Sequence, residues 1–392
     1  MAVHATDATQ QTPDLYIPSL DGMRGIAFLV VFVAHSMPHR VLPGGFGVAI
    51  FFFLSGYLIT TLLRAEAERN SSISLKGFYV RRVLRIFPPC YLTIAVVATL
   101  ALCGLVYNTE SYKSLFSGFL YFSNYWNILG WGNLPAGLGI LWSLAVEEHY
   151  YLLYPLLYAF FVRRSLKRSH QAAVLLALCA LALAWRCYRA MAMHSSWENI
   201  YEGTDTRFDA ILFGCVLAIV ANPRLGDRVE WWKKYASECA ACGAVVIVAT
   251  FFYRNQLFRD TVRYTLQQIA LVPIFFLIAL PERGVLVRCM EWRWVRHLGH
   301  LSYSMYLIHH TLFHHFYHYY RPGVALASGI FLLSLVYAQA MRTFVELPIQ
   351  RWRRRGKEKP LLAIPPTHES LFARRADVPS MAEEATSSLL PE

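Results

Sequence analysis

Charge is scarce in this chain. Of its 392 residues, 16% are Asp, Glu, Lys or Arg and 56% are hydrophobic. Soluble domains carry about 25% charged residues, so this composition excludes an ordinary water-soluble fold. Acidic residues are the scarcer kind, 25 against 37 basic ones, leaving a net charge of +12. No nucleic-acid motif accompanies that excess. The basic residues sit in loops between apolar runs, where anionic lipid or a phosphorylated small molecule is the expected partner. A disulfide framework is also missing, because the eight cysteines fall in or beside apolar runs or in basic loops. Cys239 and Cys242 have redox spacing but lie in an apolar helix and read as small packing residues. No internal repeat is evident, which argues against a transporter built from inverted halves. The first apolar run continues into Ser36, Met37 and Pro38 rather than a small-residue cleavage pattern, so a retained first span is expected.

The chain is rich instead in segments long enough to cross about 30 Å of hydrocarbon. They fall at 17–37, 46–63, 86–106, 139–161, 171–191, 207–221, 236–253, 264–280, 299–320 and 323–345. The expected fold class is therefore all-α, a polytopic helical membrane bundle of about ten transmembrane helices. The aromatic stretch 114–129 is read as a re-entrant segment, because counting it as a span would move a basic loop to the wrong side.

Basic residues fall into alternate loops: Arg64 to Arg85, Arg163 to Arg168, Arg224 to Lys234, Arg283 to Arg296, and the tail from Arg351. The opposite loops hold Arg40, Lys113, Arg321 and a small group at Arg254, Arg259 and Arg263. Short cytoplasmic loops hold the excess of Lys and Arg, which places both termini in the cytoplasm. The expected organisation is a cytoplasmic tail over 1–15, a transmembrane domain over 16–350 and a basic, then flexible, cytoplasmic tail over 351–392.

Ionisable groups inside spans are costly and mark function. Positions 21, 24, 28, 31 and 35 share one stripe of a helix, so Asp21, Arg24 and His35 face one way, with Arg24 and His35 about 16 Å apart along the axis. Headgroup anchoring by Asp21 and Arg24 with a core histidine is the plain alternative. Arg82 and Arg85 lie one helical turn apart beside Arg81, a geometry suited to forking onto phosphate, although cytoplasmic anchoring produces such clusters too. Ser55 and Gly56 read first as close helix packing. Glu147 and Glu148, Arg207 and Asp209, and His309 all lie within apolar segments and need partners or protons. The repeated histidines from His309 to His318 read as a polar helix end rather than a metal site. Tyr121, Asn124, Tyr125, Trp126, Asn127, Trp131 and Asn133 mix aromatic faces with amides, which suits either sugar binding or a headgroup belt.

In order along the chain these stretches resemble the acyltransferase family 3 membrane proteins, a group that includes O-acetylases of lipopolysaccharide, peptidoglycan and exopolysaccharide. The resemblance runs from about Tyr16 to Arg353 and rests on Asp21-Gly-x-Arg24 with His35 eleven residues beyond Arg24, Phe51 to Tyr57, Arg82-x-x-Arg85, Trp142 to Glu147, Arg207-x-Asp209, Ser302 to His309 and Glu346-x-Pro348. Two positions depart from the pattern: His149, where Gln is common, and His310, where an aromatic residue is common.

The resemblance implies a bacterial inner-membrane enzyme that moves an acyl group, commonly acetyl, from cytoplasmic acyl-CoA to a hydroxyl of a glycan or lipid-linked saccharide on the outer side. It implies catalytic roles for His35, Asp21, Arg24 and Glu147, acyl-CoA binding by Arg81, Arg82 and Arg85, acceptor binding by Arg207, Asp209, His309 and Trp126, and no metal. His35 is expected to act as general base, oriented by a carboxylate from Asp21, Glu147 or Asp209. A small metabolite or glycolipid acceptor, and a proton-coupled transporter, are the competing readings.

Overall fold

The computed structural model describes residues 16–37, 44–227, 229–282 and 284–357. The tails over 1–15 and 358–392 lie outside the described residues. Regular structure among the described residues is helical throughout. Ten main helices are α1 Pro18–Ser36, α2 Gly44–Asn70, α3 Leu75–Leu102, α4 Trp142–Arg163, α5 Arg168–Met191, α6 Asp209–Val220, α7 Ala236–Phe252, α8 Val262–Ala279, α9 Arg293–Tyr319 and α10 Val324–Met341. The chain divides into two units after Leu347, and the second begins within the basic helix Leu347–Lys357.

Each apolar segment of the sequence falls on one of these helices. Six runs are long and apolar enough to cross a membrane: α1, α2, α3, α5, α8 and the run Val324–Arg353 that opens with α10. The other four miss that standard for physical reasons. Helices α6 and α7 are short, at 12 and 17 residues, while α4 carries Glu147, Glu148 and His149 and α9 carries a series of histidines. The stretch 114–129 breaks into the short helices Leu115–Phe119 and Ser123–Ile128, with Tyr121 at φ +52° between them. A five-residue helix is about 7.5 Å long, far too short to span.

Helix α1 packs against α2 and α9, and α2 packs against α6. The last contact is backbone to backbone: a Cβ on Gly56 would overlap the Ile211 carbonyl, and one on Gly214 would overlap the Phe53 carbonyl. Small residues permit such approach where hydrocarbon supplies no hydrophobic drive for helix association. Helices α1 and α2 run antiparallel, since Gly47 sits over Ala27 and Val31 while Gly44 meets Ala34.

At the end of the bundle that holds Arg24, loops far apart in sequence are tied by charge. Buried Arg64 donates to Asp227 at 2.7 and 2.5 Å and to Glu68 at 2.8 Å, and Arg168 reaches the same two carboxylates at 2.7 Å each. Burial alone would raise the Asp227 pKa; the Arg64 hydrogen bonds override it and hold the group below its ordinary value.

Candidate active site

Two polar centres flank α1. The first surrounds Arg24. Glu147 accepts hydrogen bonds from the Ser55 and Tyr151 hydroxyls, both at 3.1 Å, and Tyr151 also donates to Ser55 at 3.0 Å. The Arg82 guanidinium lies 5.1 Å from the Tyr151 ring centre. Arg24, Arg82 and Arg85 are in electrostatic reach of one another, and Arg24 and Arg82 also of Glu147. Among the described residues neither Arg82 nor Arg85 has a carboxylate partner, whereas Arg81 pairs with Glu66 at 3.4 Å. Arg82 and Arg85, beside Arg24 and its partner Asp21, suit a polyanion.

The second centre lies at the other end of α1, around His35. The His309 ring is fully buried among Phe28, Phe32 and Phe313. Its Nδ1 is 2.7 Å from the Tyr306 carbonyl, and its Nε2 is 3.0 Å from Nδ1 of His35. A carbonyl only accepts, so the proton of neutral His309 is on Nδ1 and its Nε2 is the acceptor. His35 must then donate from Nδ1, which leaves its own lone pair on Nε2. The tautomer of His35 is set by a histidine on another helix.

His35 opens onto a cavity of about 480 Å³, also lined by Trp142, Tyr201, Tyr306, His310 and His314. The wall packed against α9 is held by an unusual bend in the segment Pro135–Leu141, where Ala136 has φ +53° and Gly137 has φ +76°. Gly137 comes so close to α9 that a Cβ would lie 2.8 Å from the Cβ of His314. In return His310 donates from Nδ1 to the Gly137 carbonyl at 2.7 Å. Positive φ and close approach both require glycine there. Glu202 lines the cavity as well; burial pushes its carboxyl up to about 7, against a hydrogen bond from Asn127 that favours the charged form.

The structure separates several of the candidate residues from His35. None of the three carboxylates expected to orient His35 does so. Asp21 pairs with Arg24 at 3.5 Å and accepts from Tyr16 at 2.7 Å at the opposite end of α1. Glu147 belongs to the Arg24 centre, and Asp209 is fully buried in a pair with Arg186 at 3.0 Å, with Thr265 also donating to it. Asp209 does not line the cavity. Arg207 is likewise fully buried, stacked 4.0 Å from the centre of the Tyr264 ring, behind the cavity wall. His309 is fully buried against His35 and does not line the cavity. Trp126 bonds to the Trp131 carbonyl, and its neighbours Asn124, Tyr125 and Asn127 brace residues 202–205, so of that aromatic and amide group only Asn133 lines the cavity. Tyr306, which sequence reasoning did not single out as a site residue, recurs with His310 and His314 every four residues on one face of α9, and the polar helix end read from those histidines lines the cavity.

Residues 17–341 match the model of acyltransferase family 3, described as an acyltransferase domain. The chain belongs to that family. It is similar to the peptidoglycan O-acetyltransferase OatA of Listeria monocytogenes serovar 1/2a, 30% identical over 358 residues that cover 86% of this chain and 56% of that protein. It is also similar to the O-acetyltransferase OatA of Staphylococcus aureus strain MRSA252, 30% identical over 377 residues, 92% of this chain and 60% of that protein. The chain thus spans less than two thirds of the length of these relatives. No solved structure matches it. Family membership and the apolar helices together make this acyltransferase-family chain a membrane-embedded protein.

Proposed function

We propose that this protein is an integral membrane O-acyltransferase that takes an acyl group, commonly acetyl, from cytoplasmic acyl-CoA and places it on a hydroxyl of a cell-surface glycan or its lipid-linked precursor on the outer side of a bacterial inner membrane. The observation that carries the reading is the His35–His309 pair at the floor of the cavity. His35 Nε2 takes the proton of the acceptor hydroxyl as its oxygen attacks the thioester carbonyl. The proton then goes to the departing thiolate, so His35 ends neutral. General-base action of this kind contributes about 10² to 10⁴ in rate.

Arg82 and Arg85 fit the phosphates of the acyl donor, because neither has a carboxylate partner among the described residues, and Arg24, paired with Asp21, stands beside them. The activated thioester supplies the acyl group; the chain supplies the base and the separation of the two centres. Arg24 and His35 are eleven residues apart on one helix, about 16 Å, so the cationic donor site and the acceptor cavity occupy opposite halves of the bundle. In this reading the Arg24 end is cytoplasmic and both termini with it, which agrees with the basic loops gathered there.

The test is acetyl transfer from labelled acetyl-CoA by purified protein. His35→Ala is expected to lose transfer at least about 100-fold while keeping acetyl-CoA affinity. Turnover near wild type in that variant would sink the mechanism.

A further inference from the structure

The one basic group that runs against the charge pattern of the loops is Arg254, Arg259 and Arg263, on the side that is otherwise poor in Lys and Arg. All three line the His35 cavity. They come from a single ten-residue stretch between α7 and α8, through the short helix Gln256–Asp260 and the first turn of α8. Among the described residues none of the three has a carboxylate partner. The nearest acid in sequence, Asp260, accepts instead from Gln256 at 2.8 Å. Arg263 packs 5.1 Å from the Tyr264 ring centre, and its Nε is buried with no hydrogen-bond partner.

A further positive charge stands behind this wall. Arg207 lies 4.0 and 5.3 Å from the ring centres of Tyr264 and Tyr201, two of the tyrosines that line the cavity, and all three of its guanidinium nitrogens lack hydrogen-bond partners. Asp209 is already engaged by Arg186, so the buried group of two arginines and one aspartate carries a net charge of +1. A buried cation without hydrogen bonds is costly unless an opposite charge lies near. Two carboxylates share the lining, Glu110 and Glu202. Glu202 is tied to Asn127 at 3.0 Å, and Glu110 lies in electrostatic reach of His314 on α9. Among the described residues neither forms an ion pair with an arginine of the lining.

We infer that the acceptor bound in this cavity is an anionic saccharide, its carboxylate or phosphate held by Arg259 and Arg263 with Arg254 at the rim, so that the hydroxyl to be acylated is presented to His35. This deepens the acyltransferase reading and rests on it. Planar guanidinium groups hold both kinds of anion with paired hydrogen bonds, and the exposed Trp197 ring, stacked on Tyr201 in the lining, provides an aromatic surface for the sugar. A headgroup site for anionic lipid would use the same chemistry without needing the cavity.

The test uses matched probes on full-length protein in neutral detergent: the methyl glycosides of N-acetylglucosamine and N-acetylmuramic acid, which differ by a lactyl carboxylate, and N-acetylglucosamine 1-phosphate. Binding is read from tryptophan fluorescence, since Trp142 and Trp197 line the cavity, and so does not depend on turnover. One or both anionic probes are expected to bind about tenfold or more tighter than the neutral glycoside, a preference that weakens with salt. The carboxylate and phosphate arms tell a sugar acid from a carrier phosphate. Arg259→Gln with Arg263→Gln should erase the preference without changing acetyl-CoA affinity, and the paired Lys variants should keep part of it. Equal binding of charged and neutral probes, binding of none of them, or a preference that survives the Gln variants overturns the inference. So does displacement of the probes only by phosphatidylglycerol micelles with no sugar dependence. Failure of the acyltransferase reading is separable: it would show as charge-selective binding by a protein that never consumes acetyl-CoA.

Discussion

Replacing His309 by Phe tests the histidine pair directly. The site is walled by Phe28, Phe32 and Phe313, so a phenyl ring fits the surroundings, and the Tyr306 carbonyl keeps its helical partner. What the substitution removes is the acceptor for the Nδ1 proton of His35, now 3.0 Å away. That bond fixes the ring and becomes charge-assisted when His35 takes the acceptor proton. A hydrogen bond from a charged donor contributes about 1.5–3 kcal/mol. At about 1.4 kcal/mol per decade, kcat should fall about 10- to 150-fold while acetyl-CoA affinity stays unchanged. His309→Gln, which restores an acceptor oxygen, should recover part of the loss. The assay is single-turnover acetyl transfer by detergent-purified protein, run also in the His35→Ala background, where His309→Phe should cost almost nothing further because the two residues act as a unit. A loss under about twofold for His309→Phe, or the same factor with and without His35, would refute the orienting role of His309.

The remaining expectations concern the donor site, the topology and Glu202. Arg82→Ala with Arg85→Ala should weaken acetyl-CoA binding, the more so at low salt where wild type binds best, and Lys at either position should rescue only in part; equilibrium binding against ionic strength decides this. Cysteine placed at Ser71 should be labelled only from the cytoplasm and at Ser196 only from outside, in a background without native thiols; labelling of both from one side would remove the separation of donor and acceptor. Glu202 has its folded pKa raised to about 7, so it binds a proton on folding, and its contribution to stability is fully present below its ordinary pKa and is lost as pH rises through about 7. Glu202→Gln should therefore raise Tm more at pH 8 than at pH 5, as thermal unfolding in detergent would show.

The sequence by itself determined what depends on one helix at a time. Apolar length located the helices, and the 3.6-residue repeat put Asp21, Arg24 and His35 on one stripe and spaced Arg82 from Arg85, because within a helix the chain geometry is the same everywhere. Loop charge singled out Arg254, Arg259 and Arg263 as an exception before any contact was known. Tertiary structure decided the partners between helices. Asp21, Glu147 and Asp209 were equal candidates to orient His35 in the sequence, yet Asp21 lies about 21 Å from it along α1, Glu147 of α4 is bound by Ser55 and Tyr151 in the Arg24 centre, and Arg186 from α5 claims Asp209. His309 takes the place instead through the close contact of α1 with α9, where Gly299 lets the two backbones touch. Crossing angle and rotation about each helix axis set such pairings, and neither is written in the spacing of residues along a single helix.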